Sequence, residues 1–94
     1  MDEECGKEII VGLMVKAWPS EFVARREIEK FTGGLIKPGT MANEDSKGTG
    51  PESFLRLGKN VGYLKKDLAS WVVNRMDLSD GFYDMLKKWS LVSG

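Results

Sequence analysis

The sequence predicts a small α+β domain in which short helices pack around a two-stranded antiparallel hairpin. Two observations support this for residues 20–76. Glycines and prolines divide the segment into short helices, and two runs with alternating apolar residues flank a Gly-Lys-Asn turn. With 94 residues, of which 41% are hydrophobic, the chain has room for one domain with a modest core.

Residues 1–19 are expected to form a lead-in segment before this domain. The apolar run at residues 9–15 is rich in β-branched side chains and contains Gly12. This composition predicts a short strand or a loosely packed segment rather than a helix. Trp18 and Pro19 end the run.

The first helix of the domain is predicted over residues 20–31. Ser20 is a good N-cap residue, and Ala24, Ile28 and Phe31 follow at a spacing that places them on one face. The glycine pair at 33–34 ends this helix.

A second, ten-residue helix is predicted over residues 38–47. Pro38 suits the first helical turn because its missing N–H would have no partner there, and Gly48 suits the left-handed position after the last turn. Met41 is expected to face inward. The helix is too short to persist without packing.

A β-hairpin follows over residues 54–64. Two short runs flank the three-residue loop Gly58-Lys59-Asn60, in which glycine and asparagine tolerate a positive φ. Arg56 and Tyr63 alternate with apolar neighbours, so we predict that they face outward and that Leu57 lies in the core.

Two more helices complete the chain. The helix at residues 65–76 places Leu68 and Trp71 at helical spacing, and both are expected in the core. Residues 77–94 form a C-terminal helix with Ser79 as its cap. Its apolar face consists of Phe82, Met85, Leu86 and Trp89. This face either packs on the domain or on a second copy, or it docks a protein partner.

Several classes of function are disfavoured. The chain contains no histidine and one cysteine, so we expect no catalytic triad, no zinc site, no internal disulfide and no cofactor. Glycine patterns that bind nucleotide phosphates are absent from the sequence. We therefore expect no enzyme. The acidic start and the lack of a long apolar run predict a cytoplasmic protein that does not span a membrane.

The charge distribution is uneven although the net charge is zero. Residues 25–66 hold nine basic and five acidic residues, which gives this middle segment a charge of +4 and leaves −4 on the two ends. A basic middle is compatible with a modest DNA-binding surface, and an ordinary charged surface explains the numbers nearly as well.

Several segments in the middle of the sequence resemble a known protein family. The segment TMANEDSKGTGP at residues 40–51, Leu57-Gly58 before the hairpin tip, Tyr63 after it and DLASW at residues 67–71 are similar to the winged helix-turn-helix domain of phage excisionases. The same domain occurs in AlpA-type regulators and is related to that of MerR-type activators. The resemblance covers residues 22–75, and it is the combination of these pieces, not any one of them, that is distinctive.

The resemblance implies roles for four groups of residues, three of them in DNA binding and one in partner binding. The recognition helix would contribute Lys37, Thr40, Asn43, Glu44 and Lys47. The wing would contribute Arg56, Lys59, Asn60 and Tyr63. Arg25 and Arg26 would neutralise the DNA backbone, and Phe82 and Trp89 would bind a protein partner.

Plainer roles are open for some of these residues. Lys59 and Asn60 also suit an ordinary hairpin turn, and Arg25 and Arg26 can pair with acidic residues of their own helix. The acidic pair Glu44-Asp45 is awkward beside phosphates, so it either bridges to a base within the fold or accepts a hydrogen bond from a cytosine amine. Lys37 stands where the family usually has a capping serine or aspartate.

The resemblance implies a small architectural protein that binds double-stranded DNA. Such a protein would self-associate on DNA, bend it and direct a phage integrase of the tyrosine recombinase type towards excision of a prophage or mobile element. One alternative is an AlpA-like transcription regulator. The other is a protein-interaction module without DNA binding.

Overall fold

The computed structural model describes residues 3–93, and the side chains of residues 6–88. This range folds into a small α+β unit of five α-helices and a three-stranded antiparallel sheet. The elements, in chain order, are α1 (Glu3–Ala17), β1 (Phe22–Ala24), a 3-10 turn (Arg25–Glu27), α2 (Ile28–Phe31), α3 (Pro38–Lys47), β2 (Leu55–Leu57), β3 (Asn60–Leu64), α4 (Lys65–Val73) and α5 (Asp80–Ser93).

The sheet has β3 at its centre, between β1 and β2. Val23 of β1 lies opposite Tyr63, and Leu57 of β2 lies opposite Asn60. Because Asn60 is already paired, the hairpin loop is only Gly58 and Lys59, one residue shorter than predicted. Gly58 has a φ of 63°, a conformation that glycine adopts at little cost.

Residues 9–15 form part of helix α1, so the prediction of a strand or loose segment is wrong. Ile10 is buried against Val73 of α4 and Leu86 of α5. The β-branched residues and Gly12 have low helix propensity. These contacts stabilise the helix nevertheless, because tertiary packing outweighs small differences in helix propensity. Gly12 lies on the exposed side of the helix.

The single helix predicted over residues 20–31 is wrong for residues 20–24, whereas residues 25–31 are helical, as the 3-10 turn followed by α2. Residues 22–24 are strand β1, and Ser20 accepts a hydrogen bond at its Oγ from the Phe22 amide at 3.2 Å instead of capping a helix. Pairing with β3 satisfies the backbone of this segment and buries Val23 completely. Ile28 and Phe31 are buried, as predicted for the inward face.

Helix α3 has the predicted bounds. Pro38 stands in its first turn, and Gly48 adopts the left-handed conformation after its last turn with a φ of 78°. Met41 is completely buried, which confirms that it faces inward. Lys37 occupies the N-cap position and makes no side-chain capping bond.

Helix α4 ends three residues earlier than predicted and contributes the centre of the core. Leu68, Ala69 and Val72 are buried with Val23 and Tyr63. Trp71 is half-buried against this core, and its Nε1 donates a hydrogen bond of 2.9 Å to the Thr49 carbonyl. The expectation that Trp71 lies in the core therefore holds only in part.

Helix α5 begins at the predicted cap, because the Phe82 amide donates to Ser79 Oγ at 3.1 Å. Leu86 is 3% exposed and packs with Ile10 and Val73, whereas Phe82 and Met85 are 41% and 68% exposed. The predicted apolar face is thus divided between packing and solvent. The side chain of Trp89 lies outside the described residues. Over residues 3–93, no helix has both the length and the apolar character needed to cross a membrane.

Candidate nucleic-acid interface

One face of α3 is exposed and polar. Thr40, Asn43 and Lys47 are all exposed, and their spacing of three and four residues places them on one side of the helix, away from buried Met41. Ser46 lies on the same face and was missed from the sequence, although its position three residues after Asn43 could have revealed it. This face can present a hydroxyl, an amide and an ammonium group together.

The two acidic residues of α3 have partners within the fold. Glu44 accepts a hydrogen bond from the Thr49 hydroxyl at 2.5 Å, and this bond lowers the pKa of the Glu44 carboxyl. Asp45 forms an ion pair with Arg25, in which its Oδ2 lies 2.6 Å from the guanidinium NH2. Asp45 therefore bridges to a base within the fold, one of the two roles considered from the sequence.

Arg25, Asp45 and Tyr63 form a connected polar cluster, here called the Arg25 network. The Tyr63 hydroxyl donates to Asp45 Oδ2, and Arg25 Nε donates to the Tyr63 oxygen at 3.2 Å. Burial raises the pKa of Tyr63 to about 12, and the hydrogen bond to Asp45 acts in the same direction. Partial burial works against the Arg25 cation, yet the hydrogen bonds to Tyr63 and Asp45 raise the pKa of Arg25 overall.

This network changes the role of two residues predicted for DNA contact. Tyr63 is completely buried, so the prediction that its side chain faces outward is wrong. Its ring lies on the sheet face that carries Val23, where α4 covers it, so it is not available to a groove of DNA. Arg25 is 24% exposed and engaged with Asp45 and Tyr63, which leaves its guanidinium little freedom to meet a phosphate.

The outer face of the sheet is apolar. Paired and alternate residues share a side of a sheet, so the face opposite Tyr63 carries four large side chains. They are Phe22, Leu55, Leu57 and Leu64. Leu57 is 77% exposed, so the prediction that it lies in the core is wrong, because its side of the sheet is not covered by a helix of the described residues. Part of this face forms an open groove of about 330 Å³. The sequence predicted polar residues there, because alternation gives the two faces but not which one the helices cover.

A second, polar groove of about 200 Å³ lies between the hairpin tip and the start of α3. It is lined by Arg25, Arg26, Pro38, Lys59, Asn60 and Val61. Arg26 NH1 donates to Asn60 Oδ1 at 2.9 Å, so the predicted backbone-binding arginine and the hairpin tip are in direct contact. Arg25 is paired with Asp45, so Arg26 and Lys59 are the groove's cations that can meet an anion such as phosphate.

The structure places most of the predicted DNA-contact residues on two features, α3 and the groove at its first turn. Lys37, Thr40, Asn43 and Lys47 lie along α3, and the groove beside α3 contains Arg26, Lys59 and Asn60. Arg56 is exposed on β2, with its guanidinium 5.7 Å from the centre of the Phe54 ring. Phe82 lies on α5, an element that packs on α1.

Comparisons of the chain with protein-family models, with curated proteins and with solved structures find no match.

Proposed function

We propose that the protein is a sequence-specific DNA-binding protein of excisionase type, built as a winged helix-turn-helix. In this proposal α3 is the recognition helix in the major groove, and the β2–β3 hairpin is the wing. One observation carries it: α3 exposes Thr40, Asn43 and Lys47, and its first turn at Pro38 borders a cationic groove formed with the hairpin tip.

The electrostatics of this side support an anionic partner. Five exposed cations belong to the proposed surface: Lys37 and Lys47 of the helix segment, Arg26 of the 3-10 turn, and Arg56 and Lys59 of the wing. Asp45 opposes them only weakly because it is paired with Arg25, whereas Glu44 keeps its negative charge, since the Thr49 hydroxyl that it accepts from is neutral. If all five cations neutralise phosphates, raising the salt from 50 to 200 mM lowers the affinity about 500-fold.

Two side chains on α3 are suited to reading bases. The Asn43 amide can donate and accept at once, which matches the major-groove edge of adenine. Lys47 can donate to guanine or to a phosphate. Arg26 and Lys59 are placed to hold the backbone, and these contacts position the protein without reading sequence.

Such a protein acts by changing the shape of the DNA that it binds, and this needs no catalytic group. Several copies bound side by side would bend the duplex and direct an integrase towards excision of a prophage or mobile element. An AlpA-like regulator would use the same surface at a promoter. A neighbouring integrase gene favours the excision factor, and its absence favours the regulator.

The test is fluorescence anisotropy with a labelled duplex from the protein's own genomic neighbourhood, an unrelated duplex, and two salt concentrations. We expect tighter binding to the native duplex and a steep loss of affinity with salt. Lys47→Ala and Lys59→Ala should each weaken binding and reduce the salt slope by about one. Lys88→Ala, an exposed lysine on α5, is the matched control and should change neither. Duplex affinity that survives both Lys47→Ala and Lys59→Ala contradicts the assigned surface.

The second candidate is a protein-interaction module. The observation in its favour is the exposed apolar surface, on the outer sheet face at Leu57 and on α5 at Phe82 and Met85. Under this candidate no duplex binds at low salt, and Phe82→Ala or Met85→Ala impairs capture of a partner while Lys47→Ala does not.

A further inference from the structure

Helix α3 is attached to the rest of the described fold by few apolar contacts. Met41 is the only buried apolar side chain along its ten residues. A helix held by one buried side chain can roll about that point, because a single apolar contact sets no direction. A second anchor with defined geometry is needed to fix which residues the helix presents.

The Arg25 network supplies a directional anchor. It joins three elements, because Asp45 belongs to α3, Arg25 to the 3-10 turn and Tyr63 to β3. Asp45 lies four residues after Met41, so the two anchors are one turn apart on neighbouring sides of the helix. Charge-assisted hydrogen bonds depend on angle as well as on distance, so this cluster restricts the roll of α3.

The Asp45 carboxylate is enclosed. Its side chain is only 8% exposed, and its Oδ2 accepts from both Arg25 and Tyr63. Its Oδ1 lies against Gly50, where an added Cβ would come within 2.0 Å. Both carboxylate oxygens are therefore fixed, one by donors and the other by the backbone of the loop after α3.

The network continues into the hairpin through an aromatic ring. Phe54 meets Tyr63 edge to face, with ring centres 6.4 Å apart. Arg25 lies 5.9 Å and Arg56 5.7 Å from the centre of the Phe54 ring. A continuous set of contacts thus runs from Asp45 on α3 to Arg56 on β2.

We infer that the Arg25 network positions α3 relative to the hairpin and so sets the geometry in which both meet a DNA duplex. The DNA part of this inference rests on the proposed function, whereas the positioning of α3 does not. Tyr63 is completely buried and Asp45 is anionic, so neither contacts DNA itself; both are positioning residues.

The experiment uses Tyr63→Phe, which removes one hydroxyl and keeps the ring. Residual dipolar couplings of backbone amides are first measured in the DNA-free protein, for α3 and for the hairpin. In the wild type both elements should fit one alignment tensor. In Tyr63→Phe the couplings of α3 should depart from the tensor that fits the sheet, and unchanged couplings overturn the inference.

Duplex affinity is then measured in a double-mutant cycle with Lys59→Ala, at a temperature where every variant is folded. We expect Tyr63→Phe to weaken binding about tenfold, because a misplaced surface loses several contacts at once. Lys59→Ala should weaken binding about fivefold in the wild type and less than twofold in Tyr63→Phe. Independent, multiplicative effects of the two changes overturn the inference.

Val73→Ala is the control for lost stability. Val73 is buried with Ile10 and Leu86, away from the Arg25 network. If Val73→Ala weakens DNA binding as much as Tyr63→Phe does, the effect comes from stability and the inference fails. If the wild type binds no duplex, the proposed function fails, and the couplings of the free protein still decide whether the network positions α3.

Discussion

Replacement of Tyr63 by phenylalanine tests how much the Arg25 network contributes to the free energy of unfolding. The hydroxyl is completely buried, donates to Asp45 and accepts from Arg25. A hydrogen bond to a charged group contributes about 1.5–3 kcal/mol. Arg25 and Asp45 remain paired in the variant, so we expect a loss of about 2 kcal/mol at pH 8. For a domain of this size, that lowers the melting temperature by about 8–16 °C.

The same variant has a distinct pH dependence. The pKa of Tyr63 is about 12 in the folded protein, against an ordinary value of 10.0. Because the folded state holds the phenolic proton more tightly, this contribution to stability is complete below pH 10 and is lost as the pH rises towards 12. The difference in unfolding free energy between wild type and variant should therefore narrow over this range.

Urea unfolding followed by tryptophan fluorescence, at pH 8 and at several values between 10 and 12, measures both effects. Every other ionisable group is present in both proteins, so the difference isolates Tyr63. A loss below about 0.5 kcal/mol at pH 8, or a difference that stays constant up to pH 12, would refute the reasoning.

Four further changes test the packing, each by urea unfolding. Gly12→Ala, at an open position in α1, should stabilise the protein by about 0.5–1 kcal/mol, whereas Gly6→Ala should destabilise it by about 1 kcal/mol because the new Cβ would lie 2.7 Å from the Tyr83 ring. Equal effects at the two glycines would contradict the close approach of α1 to α5. Gly50→Ala should cost about 2 kcal/mol by displacing the Asp45 carboxylate, and little change would mean that the loop does not confine it. Leu86→Ala should cost about 2 kcal/mol, and a neutral result would mean that α5 adds nothing to the core.

Local chemistry was enough to predict α3 and most of the hairpin. Pro38 and Gly48 have backbone preferences that favour the start and the end of a helix, so the bounds of α3 can be predicted from these two residues. The turn at Gly58 can also be predicted from the sequence, because glycine readily adopts the positive φ found there. These features depend on a few neighbouring residues and on no distant contact.

The secondary structure was predicted wrongly where contacts between residues distant in sequence determine it. Residues 9–15 are helical because α4 and α5 cover one side of α1, and residues 22–24 are a strand because the edge of β3 is available to them. The site followed the same pattern. Arg25 and Asp45 are 20 residues apart, and nothing in the sequence indicates that they pair, whereas Thr40, Asn43 and Lys47 share a face through helical spacing alone.

In helix α3, the residues that attach the helix to the fold differ from the residues that are exposed on its surface. Met41 and Asp45 hold the helix, and in the described structure neither Thr40 nor Asn43 makes a side-chain hydrogen bond. Substitution of Thr40, Asn43, Ser46 or Lys47 therefore changes the displayed chemistry at little thermodynamic expense. Under mutation the chemistry of this face can therefore change while the scaffold stays constant, without a prior gain in stability.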